Sequence, residues 1–369
     1  MQLDWIELIG FRSYPHLEWQ PGTGLNVLVG PNGIGKTNIL EAVGYLSRLR
    51  SFRRNPDEAL IGFGEEAAVI RGGFRSEASE LKVEISLPAD GRRQILFNAK
   101  RPKRHADVAY EIPMVTFLPD DLDIVKRSPG LRRDYIDELV GQLSSTAGAD
   151  LADYDRALRQ RNSLLRMHGR EADSVTLDVW DERVAVGGAL VVRHRLDVIE
   201  QISEDLASAY RSVSALDEAL LGSYQAKWLP EASAMTTEDI QERLRATLLE
   251  RRRRDMEQRT TSAGPHRDDI TFAIQGAGPR RDLRTQASQG EQRSAALALR
   301  MAAFHVIERR RGAPPILLLD DVLSELDPLR SRGVMELLPR GQVFLTTARE
   351  EDVASTADRW AVTAGEIRR

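Results

Sequence analysis

The 369-residue chain contains no cysteine. No disulfide or thiolate-held metal can therefore form, and the composition fits a reducing cytoplasm. Long apolar runs are also missing, and none approaches the roughly 20 residues that cross a bilayer. The first residues, Met-Gln-Leu-Asp-Trp-Ile-Glu, carry early acids and no basic segment, so they do not read as a signal peptide. The six histidines are scattered without ligand spacing. There is no excess of positive charge. The net charge is −4, so any contact with nucleic acid must rest on local patches. A hydrophobic content of 41% with 29% charged residues fits a soluble globular protein, long enough for two domains.

One segment names a ligand class. Residues 30–37 read Gly-Pro-Asn-Gly-Ile-Gly-Lys-Thr, a full match to the phosphate loop G-x-x-x-x-G-K-[ST]. Leu25–Val29 before it reads as a buried strand. Thr37–Leu49 after it has helical spacing, with Ile39, Leu40, Val43, Leu46 and Leu49 apolar. Such a turn wraps phosphates with inward N–H groups, and the helix adds the positive end of its dipole. Gly30, Gly33 and Gly35 permit backbone that a Cβ would block. Lys36 is placed for the β- and γ-phosphates, and Thr37 for Mg²⁺. The implied ligand is a nucleoside triphosphate with Mg²⁺.

Strand patterns recur at Leu3–Phe11, Ala67–Phe74, Leu81–Leu87, Gln94–Lys100 and Met114–Leu118. Helical spacing then dominates in Leu151–Met167, Val175–Val213 and Ile240–Met256, with a possible strand at Leu220–Trp228. Strands return at Asp269–Gln275, Pro315–Leu319, Gln342–Thr346 and Trp360–Thr363. This order predicts a nucleotide-binding α/β head split into residues 1–127 and 256–369, with a mostly helical domain inserted at 128–255. Arg251–Arg254 reads either as a positive patch or as cations at a helix C-terminus.

Ile316–Asp321 reads as a Walker B strand. Asp320 is the acid for the metal shell, and Asp321 is placed to orient the attacking water. Ser288-Gln289-Gly290-Glu291-Gln292-Arg293 opens a long helix, which Ser288 can cap while Gly290 leaves N–H groups open to an anion. This segment resembles the signature motif of ABC-type ATPases, and Ser324-Glu325-Leu326-Asp327 resembles their D-loop. Within that superfamily the chain resembles the RecF family of bacterial recombination and gap-repair ATPases. The matching stretches are Gly10–Tyr14, Gly30–Thr37, Arg50–Arg53, Phe117–Leu122, Gly264–Asp269, Ser288–Arg293 and Leu317–Asp327.

The resemblance implies an α/β fold: an ABC-type P-loop ATPase head with a mixed sheet and a β-rich lobe, plus an inserted α-helical domain. It implies ATP-dependent homodimers, binding at single-strand/double-strand DNA junctions, work with RecO and RecR in loading RecA, and a link to the SOS response. The expected nucleotide set is Arg12, Gly30, Asn32, Gly33, Gly35, Lys36, Thr37 and Asn38, with Ser288, Gly290 and Gln292 from the signature segment. His266 and Arg267 either line the nucleotide site or stabilise their lobe.

Three features depart from the general ABC pattern. Phe344-Leu345-Thr346-Thr347 offers hydroxyls where a switch histidine usually stands. No convincing Q-loop glutamine lies near Met114–Asp123, and Asp321 replaces the usual glutamate. A slow ATPase used as a switch is the expectation. The rival readings are a transporter-coupled ATPase, disfavoured by the long helical block and missing histidine, and an adaptor that binds nucleotide without turnover. Two acid-free runs, Ala42–Pro56 with Arg48, Arg50, Arg53 and Arg54 and Gly91–His105 with Arg92, Arg93, Lys100, Arg101, Lys103 and Arg104, read as DNA contacts or as solvated basic loops.

Overall fold

The computed structural model describes residues 1–76, 79–214, 216–322, 338, 340–349 and 357–369. They form two compact units, Met1–Asp121 with Arg300–Arg369, and Leu122–Leu299. The chain opens with β1 (Gln2–Phe11), β2 (Tyr14–Trp19), β3 (Leu25–Val29) and α1 (Lys36–Arg48). It continues with β4 (Ala67–Arg75), β5 (Glu80–Pro88), β6 (Gln94–Phe97), α2 (His105–Glu111) and β7 (Met114–Phe117). The second unit holds α3 (Leu122–Lys126), α4 (Pro129–Leu143), α5 (Ser145–His168), α6 (Ser174–Ser214) and β8 (Ala219–Gln225). It goes on through α7 (Thr237–Gln258), β9 (Asp269–Gln275), β10 (Arg281–Asp282) and the start of α8 (Gln289–Arg311). The first unit is completed by β11 (Ile316–Asp320), β12 (Val343–Thr347), β13 (Asp358–Thr363) and β14 (Glu366–Arg368).

The first unit has two sheets. One is antiparallel, in the order β2-β1-β4-β5-β6. The other runs β14-β13-β3-β12-β11-β7 and is parallel except for β14. Every residue of β11 and β12 is buried, which is why Ile316–Leu319 and Val343–Leu345 read as unbroken apolar runs. β5 alternates instead, because only one face meets the core. Helix α1 shares that core with both sheets. Gly72 of β4 admits Leu46, whose Cδ1 would lie 2.5 Å from a Cβ there, and Leu318 of β11 packs against Gly44.

The second unit is helical with a three-stranded sheet, β10-β9-β8. Its apolar core draws on α5, α6 and α7. Arg161 is fully buried in it and bonds Asp181, Asp255 and Thr261 at 2.6, 2.9 and 2.8 Å.

Three expectations differ from what is observed. β2 was not anticipated, because Pro15 interrupts its pattern. Proline is tolerated there because β2 is an edge strand. The strand expected over Gln94–Lys100 ends at Phe97, where Asn98 and Ala99 turn at positive φ and Phe97 bonds back to Lys100. The chain returns to the first unit near residue 300 and not at 256. The reason is that β9 pairs with β8 along its whole length and so belongs with the helices.

Candidate nucleotide-binding site

Helix α1 begins at Lys36, with Gly35 as its cap at φ 113. A Cβ on Gly35 would come within 2.8 Å of both Ser13 Oγ and Tyr14 OH. The tyrosine hydroxyl donates to the Gly35 carbonyl at 3.1 Å, and Asn38 donates to Ser13 at 3.1 Å. No acid occupies the first turn of α1, so its positive dipole end is left for an anion. Lys36 is 7% exposed, and its ammonium donates to the Gly30 and Pro31 carbonyls at 2.6 and 2.9 Å. Burial lowers its pKa, against the raising fields of Asp321 and Asp320. Gly33 has φ 81 and is exposed beside Asn32 at the tip of the loop.

Strand β11 lies one strand away from β3, across β12. Asp320 at its carboxyl end accepts the Thr37 hydroxyl at 2.8 Å on Oδ1, and the Thr346 hydroxyl on the same atom at 2.8 Å. Burial raises its pKa, and these hydrogen bonds together with the Arg53 guanidinium act in the opposite direction. The Asp321 N–H donates to Thr346 Oγ1 at 2.9 Å, and Asp321 takes φ 49. Aspartate tolerates that left-handed conformation better than most residues. The oxygen donors of Thr37 and Asp320 are hard ligands of the kind Mg²⁺ takes, so the residues present fit the ion. They would hold it, and bound there it would offset phosphate charge. The Thr346 hydroxyl, which stands near where a switch histidine is usual, thus bridges Asp320 and the Asp321 N–H, a role its local sequence does not signal.

The remaining candidates divide. Arg12 is committed within the fold. Nε and Nη2 donate to the buried Glu41 of α1 at 3.0 Å each, and Nη1 donates to the Ala59 carbonyl at 2.7 Å. Glu41 also accepts from Ser51 Oγ, whose oxygen in turn takes the Arg53 N–H at 3.1 Å. The loop carrying Arg50, Arg53 and Arg54 is thereby tied to the phosphate-loop helix, with Arg53 in electrostatic reach of Asp320. All six DNA candidates, Arg50, Arg53, Arg54, Arg101, Lys103 and Arg104, are exposed. Arg93 joins the two basic runs by donating to the Leu49 carbonyl at 2.7 Å.

Ser288, Gly290 and Gln292 belong to the second unit. Ser288 Oγ accepts the Glu291 N–H at 3.3 Å, while Glu291 accepts the Ser288 N–H at 2.7 Å, a reciprocal capping box. Gln292 is buried and donates to the Leu283 and Arg284 carbonyls at 3.1 and 3.3 Å. His266 and Arg267 are engaged within the same unit. His266 Nε2 lies 3.1 Å from the Thr261 carbonyl, which can only accept, so Nδ1 accepts from Tyr154 OH at 2.7 Å. Burial pulls the His266 pKa down to about 4. Arg267 donates to the same carbonyl at 3.3 Å. The D-loop candidate, Ser324–Asp327, lies outside the described residues.

A phosphate loop on β3 and an acid-ended strand two places along a buried parallel sheet define the head of an ABC-type P-loop ATPase. The family model "RecF/RecN/SMC N terminal domain" matches residues 2–366. The DNA replication and repair protein RecF of Frankia alni is 39% identical over 100% of both chains. Its counterpart in Streptomyces avermitilis is 36% identical, again over 100% of both. A solved structure of the recombination mediator protein RecF-ATP in the RecFOR pathway is 31% identical, with a TM-score of 0.90 over 99% of this chain and 96% of that one. An SmcHead bound to the C-winged helix domain of ScpA, 18% identical, shares the fold at a TM-score of 0.58 over 100% of this chain and 96% of its own. The chain therefore belongs to the RecF/RecN/SMC N-terminal domain family and, within it, to RecF.

Proposed function

We propose that this protein is a DNA-binding ATPase of DNA replication and recombinational repair, switched by ATP between monomer and dimer. The observation that carries the reading is the 2.8 Å bond from Thr37 to Asp320. It joins two motifs far apart in sequence into one oxygen-lined place for Mg²⁺ beside a phosphate loop. Lys36 and the loop N–H groups bind the phosphates, and Asp321 orients the attacking water. Ser288 and Gly290 of a second copy close over the γ-phosphate, since a helix N-terminus suits an anion. Hydrolysis is slow and answers to DNA.

DNA is held at single-strand/double-strand junctions through the runs around Arg50–Arg54 and Arg101–Arg104. The names of the relatives, a replication and repair protein and a recombination mediator of the RecFOR pathway, support this reading and with it cooperation with RecO and RecR in loading RecA. A role in the SOS response and a cytoplasmic location follow from the same reading. No described helix is long and apolar enough to cross a membrane. The test is ATP turnover with and without gapped duplex DNA. Stimulation by the gapped duplex is expected, and turnover indifferent to DNA would overturn the DNA-responsive switch.

A further inference from the structure

The antiparallel sheet of the first unit carries, on its solvent face, a cluster that the nucleotide site does not use. In β2 the core takes Leu17 and Trp19, so His16 and Glu18 are left exposed on the other face. In β1, Glu7 stands directly opposite Glu18, and Ile9 opposite His16. One ligand atom from each of Glu7, His16 and Glu18 lies within 4.8 Å of the other two. No spacing in the sequence signals this, because Glu7 reaches the other two only through the strand register.

Charge and distance both point to a cation between these groups. Like charges directly opposite each other across two strands are destabilising, and Glu7 with Glu18 is such a pair. Arg71 of β4 answers Glu7, donating to Oε2 at 2.9 Å, but its Nε also lies 3.1 Å from Glu84. Among the described residues, Glu18 has no ionic partner nearer than His16. His16 Nε2 lies 3.8 Å from Glu7 Oε1 and 3.6 Å from Glu18 Oε1. Those separations are too long for hydrogen bonds. They approach the roughly 3.4 Å between neighbouring ligands of a tetrahedral ion whose bonds are about 2.0–2.1 Å. Arg71 holds one oxygen of Glu7 and leaves the other beside His16, as outer groups orient a metal ligand.

The donor set selects the ion. Mg²⁺ and Ca²⁺ take oxygen ligands. An imidazole nitrogen beside two carboxylate oxygens suits Zn²⁺ and its first-row neighbours. We propose that Glu7, His16 and Glu18 form a surface site for one divalent ion of the Zn²⁺ class, distinct from the Mg²⁺ place at Thr37 and Asp320. Three protein ligands leave a fourth position open to water. A bound ion ties β1 to the edge strand β2. The turn between those strands carries Ser13, which accepts from Asn38, and leads into Tyr14, which donates to the Gly35 carbonyl. The ion thus stiffens the hairpin that braces the phosphate loop.

The test titrates Zn²⁺ calorimetrically into the full-length protein, stripped of metal beforehand and held in excess Mg²⁺ to keep Zn²⁺ from Thr37 and Asp320. Saturable uptake of one ion per chain is expected, with a rise in melting temperature. His16→Ala should abolish both. Glu18→Gln should weaken uptake about tenfold or more. Both side chains are more than half exposed, so neither change disturbs the core, and Glu18→Gln carries the test if His16→Ala does not fold. ATP affinity without Zn²⁺ should match wild type in both variants. Two results would overturn the proposal: no saturable uptake in excess Mg²⁺, or uptake as tight in the variants as in wild type.

Discussion

At the residue scale, the site turns on one carboxylate oxygen. Asp320 Oδ1 receives two hydroxyl protons, and one of those hydroxyls, Thr346, also accepts the Asp321 N–H. Thr346→Val keeps the shape and deletes both links. We expect ATP binding to persist while turnover falls about 10- to 100-fold, the usual effect of losing a group that orients a metal ligand. A titration of turnover against Mg²⁺ checks this, and normal turnover at every Mg²⁺ concentration would remove Thr346 from the site. Lys36→Met should abolish ATP binding with the circular dichroism unchanged. The phosphate loop was legible because its residues are contiguous and its backbone geometry is set by glycine. The place of Arg53 was not, since it depends on Ser51 reaching a buried glutamate ten residues back.

At the scale of elements, strands buried on both faces announced themselves, and the edge strand β2 did not. β11 is apolar up to Asp320 and β12 up to Leu345, whereas β2 carries Pro15, His16 and Glu18 exposed. The helical spacing of α5 to α7 was equally plain, but no local pattern says that β9 pairs with β8. The start of α8 leads to a prediction about assembly. Ser288→Arg should leave ATP binding intact and block dimers formed with ATP, read by sedimentation. A dimer of normal strength would remove the signature helix from the interface. The basic loops predict a salt effect. Arg50→Glu with Arg101→Glu should flatten the log–log dependence of DNA affinity on salt, which runs at about −0.9 per phosphate contact on duplex DNA. Equal slopes for variant and wild type would move the contact surface elsewhere.

At the scale of the whole molecule, acid stability follows from two buried groups in the helical unit. His266 is pushed down to about 4 from 6.5, so the unfolded chain binds its proton more readily, and stability falls as pH drops from 6.5 to 4. Asp268 is pushed up to about 6 from 3.8 by burial, so the native state binds the extra proton, and stability falls as pH rises through that window. Each effect is on the order of 3 kcal/mol, and they oppose each other. Asp268→Asn should therefore uncover the histidine's slope, and the urea midpoint should fall more steeply between pH 6.5 and 4 than in wild type. Parallel profiles would show that Asp268 titrates as an ordinary carboxylate and adds nothing to the pH dependence.

The interleaved parallel sheet also has a consequence for how the protein is made. β3 has no sheet neighbour other than β12 and β13, both from the far end of the chain. At roughly 5–20 residues per second, a ribosome would leave the phosphate-loop strand unpaired for roughly 15 to 60 s, while the helical unit emerges and folds. The nascent chain thus meets its chaperones with both edges of β3 open, and nucleotide can be captured only once synthesis is nearly finished.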